Sequence, residues 1–242
     1  MKTWILTGLL VFSALSLRAQ DETPAAVTDE STNLNMVEVV KNPVVFTNSV
    51  GMIMVPVPAG YWVGRYEVSQ AEYQKVMHSN PSHFVRTNNP VDTVSWNNAM
   101  DFCEKLTLRE RKKSNLPDTY LYILPTDAQW EMLVSDATLK DAITSEGHVG
   151  GSRTHPEPVG TLNPNSYGLY DMRGNVMEFQ LDRADNTQPY RVLRGGAYDT
   201  WFEVNLRTAF RNYAPTPDDA QPDYGFRCIM VMQAPPDTKP AK

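Results

Sequence analysis

The sequence predicts a loop-rich α+β domain, and three observations predict it. Short β-rich stretches end at turn residues, as where Met52–Val57 runs into Pro58-Ala59-Gly60. Three amphipathic stretches each follow a Ser or Thr suited to cap a helix: Ser69, Ser95 and Thr126. The 18 prolines and 13 glycines among 242 residues interrupt everything else.

The elements follow in order. Ser69 opens a helix over Gln70–Met77, and Glu72 at its third position completes a capping box. Ser95 opens a second helix from Trp96 to about Arg111. Ala99, Phe102, Cys103 and Leu106 recur along it at helical spacing, so Cys103 faces the core. Thr126 opens a third helix, Asp127–Val134, with Trp130 and Leu133 inward. Short strands are predicted at Gly168–Tyr170 and Arg191–Arg194, with a buried final strand over Tyr224–Met232. Cys228 lies in that last strand, where it could meet Cys103.

The amino terminus has the layout of a cleaved export signal. Lys2 gives a basic start, Trp4 to Leu17 is almost wholly apolar, and Ala19 is a small residue before the cut. The alternative is an uncleaved anchor, for which the run is short, since a span needs about 20 apolar residues. No cysteine near the cut offers a lipid attachment point. The organisation reads as a signal at residues 1–19, a polar acidic linker at 20–36, one domain at 37–232 and a proline-rich tail at 233–242. No repeat of fixed period is present. Export predicts a secreted or periplasmic location, with no membrane span after cleavage.

Charge narrows the partners. The net charge of −6 becomes −6 − 2 = −8 when Lys2 and Arg18 leave with the signal. Such an acidic chain is poorly suited to nucleic acid or anionic lipid. Cys103 and Cys228 are the only cysteines. In an exported chain they read as a disulfide, or else as two buried thiols. His78, His83, His148 and His155 are scattered and form no metal motif, and no phosphate loop or Ser-His-Asp signal is present.

Six segments, taken in order, resemble one known family. They are Tyr66-Glu67-Val68-Ser69, Asn89-Pro90-Val91 with Val94-Ser95-Trp96, Leu124-Pro125-Thr126-Asp127-Ala128-Gln129-Trp130-Glu131, Tyr167-Gly168-Leu169-Tyr170-Asp171-Met172 with Gly174-Asn175-Val176, Arg194-Gly195-Gly196, and Gly225-Phe226-Arg227-Cys228. The resemblance is to the formylglycine-generating-enzyme, or sulfatase-modifying-factor, family and spans about residues 50–231. It implies a loop-rich α+β fold related to the C-type-lectin fold. It also implies an enzyme that oxidises a sulfatase cysteine to formylglycine with molecular oxygen and copper held by two cysteines. Cu(I) calls for soft thiolate ligands, yet the two aligned positions are Thr200 and Asn205. The family's motif serine is Ala197, its asparagine before the last motif is Asp223, and two tryptophans are Met177 and Phe179.

The resemblance further implies that Cys103 and Cys228 form a structural disulfide. It places a calcium site on Asp171, Gly174, Val176 and Glu178, two carboxylates and two backbone carbonyls of the kind a hard cation takes. The opposing reading is a tight turn whose acids face solvent or pair with Arg173. A second family calcium site, expected between Asp136 and Pro158, has no matching ligands. Tyr198, Trp201, Arg207 and Arg211 form a candidate ligand pocket, set against a plain role for the arginines as ion-pair braces. The expectation that follows is a non-catalytic pseudoenzyme module that binds or scaffolds an envelope protein or small ligand, without copper. The alternatives are altered chemistry in the same cleft, using Asp199, Asp223 or an arginine, and an auxiliary partner of sulfatases or of an active relative.

Overall fold

The computed structural model describes residues 43–145, 153–185 and 187–233. The stretches read as signal and linker, and the tail after Gln233, lie outside the described residues, as does His148. Among those described, no helix is long and apolar enough to cross a membrane.

A five-stranded antiparallel sheet in the order β1-β2-β3-β9-β4 forms the centre. Its strands are β1 (Phe46–Thr47), β2 (Ile53–Val57), β3 (Tyr61–Gly64), β4 (Tyr120–Ile123) and β9 (Ile229–Met232). Alternating side chains sort to its two faces. Met54, Trp62, Tyr122 and Met230 face helices α1 (Gln70–Met77) and α2 (Trp96–Lys112). Val55, Val57, Val63 and Ile229 face α3 (Asp127–Val134), packing on Trp130 and Leu133. A second, four-stranded sheet, β7-β6-β5-β8, is built from β5 (Met177–Arg183), β6 (Arg191–Arg194), β7 (Asn212–Ala214) and β8 (Tyr224–Gly225).

The helices begin where their caps predict. Ser69, Ser95 and Thr126 each accept from the backbone N–H of the third helical residue, and each helix completes a capping box through Glu72, Asn98 or Gln129. On α2, Ala99, Phe102, Cys103 and Leu106 are buried together.

The strands depart from the sequence expectation in two places. Gly168–Tyr170 is a turn and extended coil rather than a strand: Asn165 turns back on itself, accepting from the backbone N–H groups of Tyr167 and Leu169. The single strand expected over Tyr224–Met232 is two strands in two sheets, β8 parallel to β5 and β9 antiparallel to β3 and β4. The crossing at Phe226–Cys228 is set by Arg227. Its fully buried guanidinium donates to the carbonyls of Gly64, Arg65 and Tyr170 at 2.9, 3.0 and 2.7 Å, and to Glu178 Oε1 on β5 at 2.8 Å. Three carbonyls and a carboxylate need one fork of donors at that point, and no ladder bond can supply it.

One edge of the central sheet is β4, which lies against α2. Tyr120 N–H donates to Pro117 O, Tyr120 O accepts from Arg111 at 2.8 Å, and Tyr122 N–H donates to Thr107 Oγ1 at 2.9 Å. An apolar groove of about 530 Å3 runs between the two, walled by Met100, Leu108, Leu121 and Ile123.

Arg227→Met should lower unfolding free energy by about 3–5 kcal/mol, because it strands a buried carboxylate and three carbonyls. Urea unfolding measures this. A loss under about 1 kcal/mol would mean that other donors replace the guanidinium.

Candidate functional site

The positions aligned with the family's copper site lie at the end of β6. Arg194 ends the strand, and Gly195 and Gly196 take φ of 93° and 73°. Only glycine reaches both this turn and its packing, since a Cβ at Gly196 would sit 2.6 Å from Leu206 Cδ2. The turn closes on itself: Ala197 N–H donates to Thr200 Oγ1 at 2.8 Å, and Thr200 N–H returns to Ala197 O at 3.0 Å. The chain then passes through Trp201 and Phe202 into a short 3-10 helix, Glu203–Leu206.

A cleft of about 230 Å3 opens there. Met177 of β5 and Leu193 of β6 form its apolar floor, with Thr200, Asn205 and Asn212 as its neutral polar groups. Asp199, Trp201, Phe202 and Phe210 complete the wall. Trp201 and Phe202 are 58% and 69% exposed.

The structure thus brings Thr200, Asn205 and Trp201 into one cleft and separates the rest of the expected set. Ala197 is buried beneath it. Tyr198 is buried on another side, its ring edge-on to Phe84 at 5.5 Å. Arg211 is held in ion pairs with Asp127 and Glu131, at 2.7 and 3.5 Å, so it braces α3 rather than lining a pocket. Arg207 is exposed and does not line the cleft. The ion-pair reading also describes Arg194, which bonds Asp127 and lies over the Trp130 ring at 4.9 Å.

Asp223 borders this region through its backbone, whose carbonyl accepts from Met177 N–H at 2.7 Å. Partial burial pushes its carboxyl up to about 6, and Asp199 and then Asp219 add to the shift. Burial also raises Asp199. Tyr198 is pushed up to about 12 by burial and then by Asp199, Asp223 and Asp92. Asp199 and Asp223 lie 24 positions apart in sequence, and no local motif marks the pair.

A second acidic centre sits around Arg227. Glu178 accepts from Arg227 through Oε1 and from Trp130 Nε1 through Oε2, at 2.8 and 2.9 Å. Glu67 accepts from Asn175 Nδ2 at 2.6 Å and from Val176 N–H at 3.0 Å. Asp171 Oδ2 accepts from Gly160 N–H at 2.7 Å, while its buried Oδ1 has no partner. Burial, then Asp171 and Glu178, hold Glu67 well above the usual carboxylate range. Burial likewise takes Asp171 up to about 6. Three carboxylates therefore surround one guanidinium. All three acids are buried, but only Glu178 bonds Arg227, and Arg173 instead donates to Ala137 O and Thr208 Oγ1. Sequence reasoning named Glu67 only as part of a motif and missed it as a buried acid; a glutamate just before the Ser69 cap was its one signal.

The unbonded Asp171 oxygen, set among buried acids, fits a hard cation. Gly174 suits a crowded cradle: at φ 80°, a Cβ there would overlap the Ile143 carbonyl. Glu178 is already engaged by Arg227, and no three His, Cys, Asp or Glu side chains among the described residues converge as a metal cluster. Copper does not fit the cleft, because none of its lining residues is a thiol. The two cysteine sulfurs are instead buried between α2 and β9, in contact at 3.4 Å as thiols. An S–S bond would bring them to about 2.05 Å. Burial, then Cys103, raises the Cys228 thiol well above its ordinary value.

Comparison with known proteins completes the picture. The family model of the sulfatase-modifying factor enzyme 1-like domain matches residues 24–232. The chain is 26% identical over 229 residues to "Chaperone protein LppX" of Paenibacillus barcinonensis, covering 70% of this chain and 79% of that one. It is 28% identical over 177 residues to "Inactive C-alpha-formylglycine-generating enzyme 2" of Bos taurus, covering 61% of this chain and 52% of the relative. Among solved structures, Treponema denticola variable protein 1 superposes with a TM-score of 0.64 at 24% identity, covering 77% of this chain and 99% of that one. That likeness shows the formylglycine-generating-enzyme-like, C-type-lectin-like fold. With its family motifs built into one core around Arg227 and the turn at Gly195-Gly196, the chain belongs to the sulfatase-modifying factor enzyme 1-like domain family.

Proposed function

We propose that this protein is an exported, non-catalytic binding or scaffold module that keeps the family's fold without its copper chemistry. One observation carries the reading. The cleft aligned with the family's copper site presents Thr200 and Asn205, while the chain's only two thiols are buried elsewhere in the core. Relatives named as a chaperone and as an inactive enzyme support a non-catalytic use of the fold. The exposed pair Trp201 and Phe202 supports a binding use, since clustered exposed aromatics mark interaction surfaces.

Calcium and the disulfide belong to the same reading. A calcium ion held by Asp171 with the carbonyls of Gly174 and Val176, beside Glu178, would offset the buried negative charge around Arg227. The facing sulfurs of Cys103 and Cys228 would bond in an oxidising compartment, and closing so long a loop stabilises the fold by roughly 4–5 kcal/mol in the chain-entropy model.

Copper titration with oxygen uptake, using the mature protein and a sulfatase-type cysteine peptide, tests the function directly. The expected result is no stoichiometric copper and no turnover. Oxygen-dependent turnover that survives Cys103→Ser with Cys228→Ser would overturn the proposal.

If Asp223 has no catalytic task, Asp223→Asn should simply relieve a partly buried charge. A carboxyl raised from the usual value to about 6 weakens the fold as pH rises through that window, because the native state holds its proton longer than the unfolded chain. The variant should therefore be more stable than the parent by about 1–2 kcal/mol at pH 8, after allowance for solvent screening, and equal to it at pH 3.5. Urea midpoints at both values check this; an unchanged difference at both would refute the linkage.

Intact mass of the exported chain should give a start at Gln20 and the loss of two hydrogens. In the same preparation, chelation should lower Tm, by about 2–4 °C for each kcal/mol of calcium binding. A Tm indifferent to calcium and chelator removes calcium from the model.

A further inference from the structure

The cleft beside Trp201 has features that a general binding role does not explain. Asp199 lies on its wall, and its charge adds to the upward shift of the Asp223 carboxyl. Among the described residues neither carboxylate makes an ion pair or bonds another residue's side chain; Asp199 is exposed at the cleft and Asp223 is partly buried, whereas Asp127 and Glu178 are matched to arginines. Next to this unmatched negative charge stand Trp201 and Phe202, adjacent in sequence and both largely exposed. The remaining surface is apolar, from Met177, Leu193 and Phe210.

Aromatic faces beside an uncompensated carboxylate suit an organic cation with an aliphatic stem. The rings attract the cationic head, the apolar floor takes the methylenes, and the acid neutralises the charge. A neutral or anionic guest would leave Asp199 desolvated and unpaired, which costs free energy. The space also limits the guest. About 230 Å3 is smaller than the roughly 300–1,000 Å3 of small-molecule sites, and is on the scale of one side chain. The net charge of −6 favours encounter with basic partners.

We propose that this cleft receives a lysine or arginine side chain of a partner protein, seated between Trp201, Phe202 and the Asp199 carboxylate. The inference rests on the binding-module reading and gives that module the chemistry of its ligand. The cation occupies the cleft while the rest of the partner lies along the outer faces of the two aromatic rings.

The test uses the mature protein and three hexapeptide probes, identical except for a central lysine, norleucine or glutamate. Binding is read by NMR from the Trp201 indole resonance, assigned by its loss in Trp201→Phe. The lysine peptide should shift that resonance and bind at least about tenfold more tightly than the norleucine peptide, with the glutamate peptide weakest. Asp199→Asn should remove the preference for lysine over norleucine, and Trp201→Ala should weaken binding of both. Both residues are on the surface, and unchanged melting curves confirm that the variants fold. Equal affinity for lysine and norleucine would overturn the cationic ligand while leaving an apolar binding cleft. No Trp201 response to any peptide would also overturn it, and the module reading would then stand or fall separately on the copper and oxygen experiment.

Discussion

The structure depends on a single buried arginine. Arg227 stands where the chain leaves the smaller sheet for the central one, and its donors are shared among β3, the loop ending at Tyr170 and Glu178 of β5. Glu178 extends the connection to α3 through Trp130. One guanidinium thus joins two sheets, a helix and a long loop. Apolar packing is non-directional and could tolerate a slip between the sheets; this set of charge-assisted bonds could not. The penalty for burying the charge is met by satisfying every donor direction, the condition under which such a group confers a unique arrangement.

What was legible in the sequence was mostly local. A cap is a property of four consecutive residues, so Ser69, Ser95 and Thr126 announced their helices, and the structure places them there. The strands were less legible. Tyr224–Met232 is uniformly apolar around Arg227, and nothing in that run indicates that its two halves pair with different partners. The strands β1, β3, β4, β5 and β7 went unread, although β3 directly follows the Pro58-Ala59-Gly60 turn. The candidate cleft was half legible. Aligned motifs pointed to Thr200, Asn205 and the neighbouring aromatics, but they could not tell that Tyr198 turns inward to Phe84 or that Arg211 is already bound to Asp127. Direction of a side chain on an irregular loop is set by its tertiary neighbours, and a lone sequence carries no periodicity from which to read it.

The family relationship and the absence of thiols from the cleft lining concern different layers of the molecule. The Gly195-Gly196 turn, the Arg194 brace and the Arg227 junction are backbone and core features, which the fold needs whatever its use. Thr200 and Asn205 sit on that frame as surface choices. Thr200 even takes a structural task, since its hydroxyl accepts from Ala197 N–H and helps to close the turn. Asn205, by contrast, bonds no side chain of the frame among the described residues, so its identity can change at less cost to folding than that of the glycines or Thr200.

The covered border of the central sheet has a consequence for how this protein meets others. With Tyr120 and Tyr122 already bonded to Pro117, Arg111 and Thr107, β4 offers few open backbone groups to an incoming chain. Recruitment by strand addition, a common and sequence-tolerant mode of peptide capture, is closed at that border. At that border, contact with a partner falls to side chains, and side chains on irregular loops can change without disturbing a rung of the ladder.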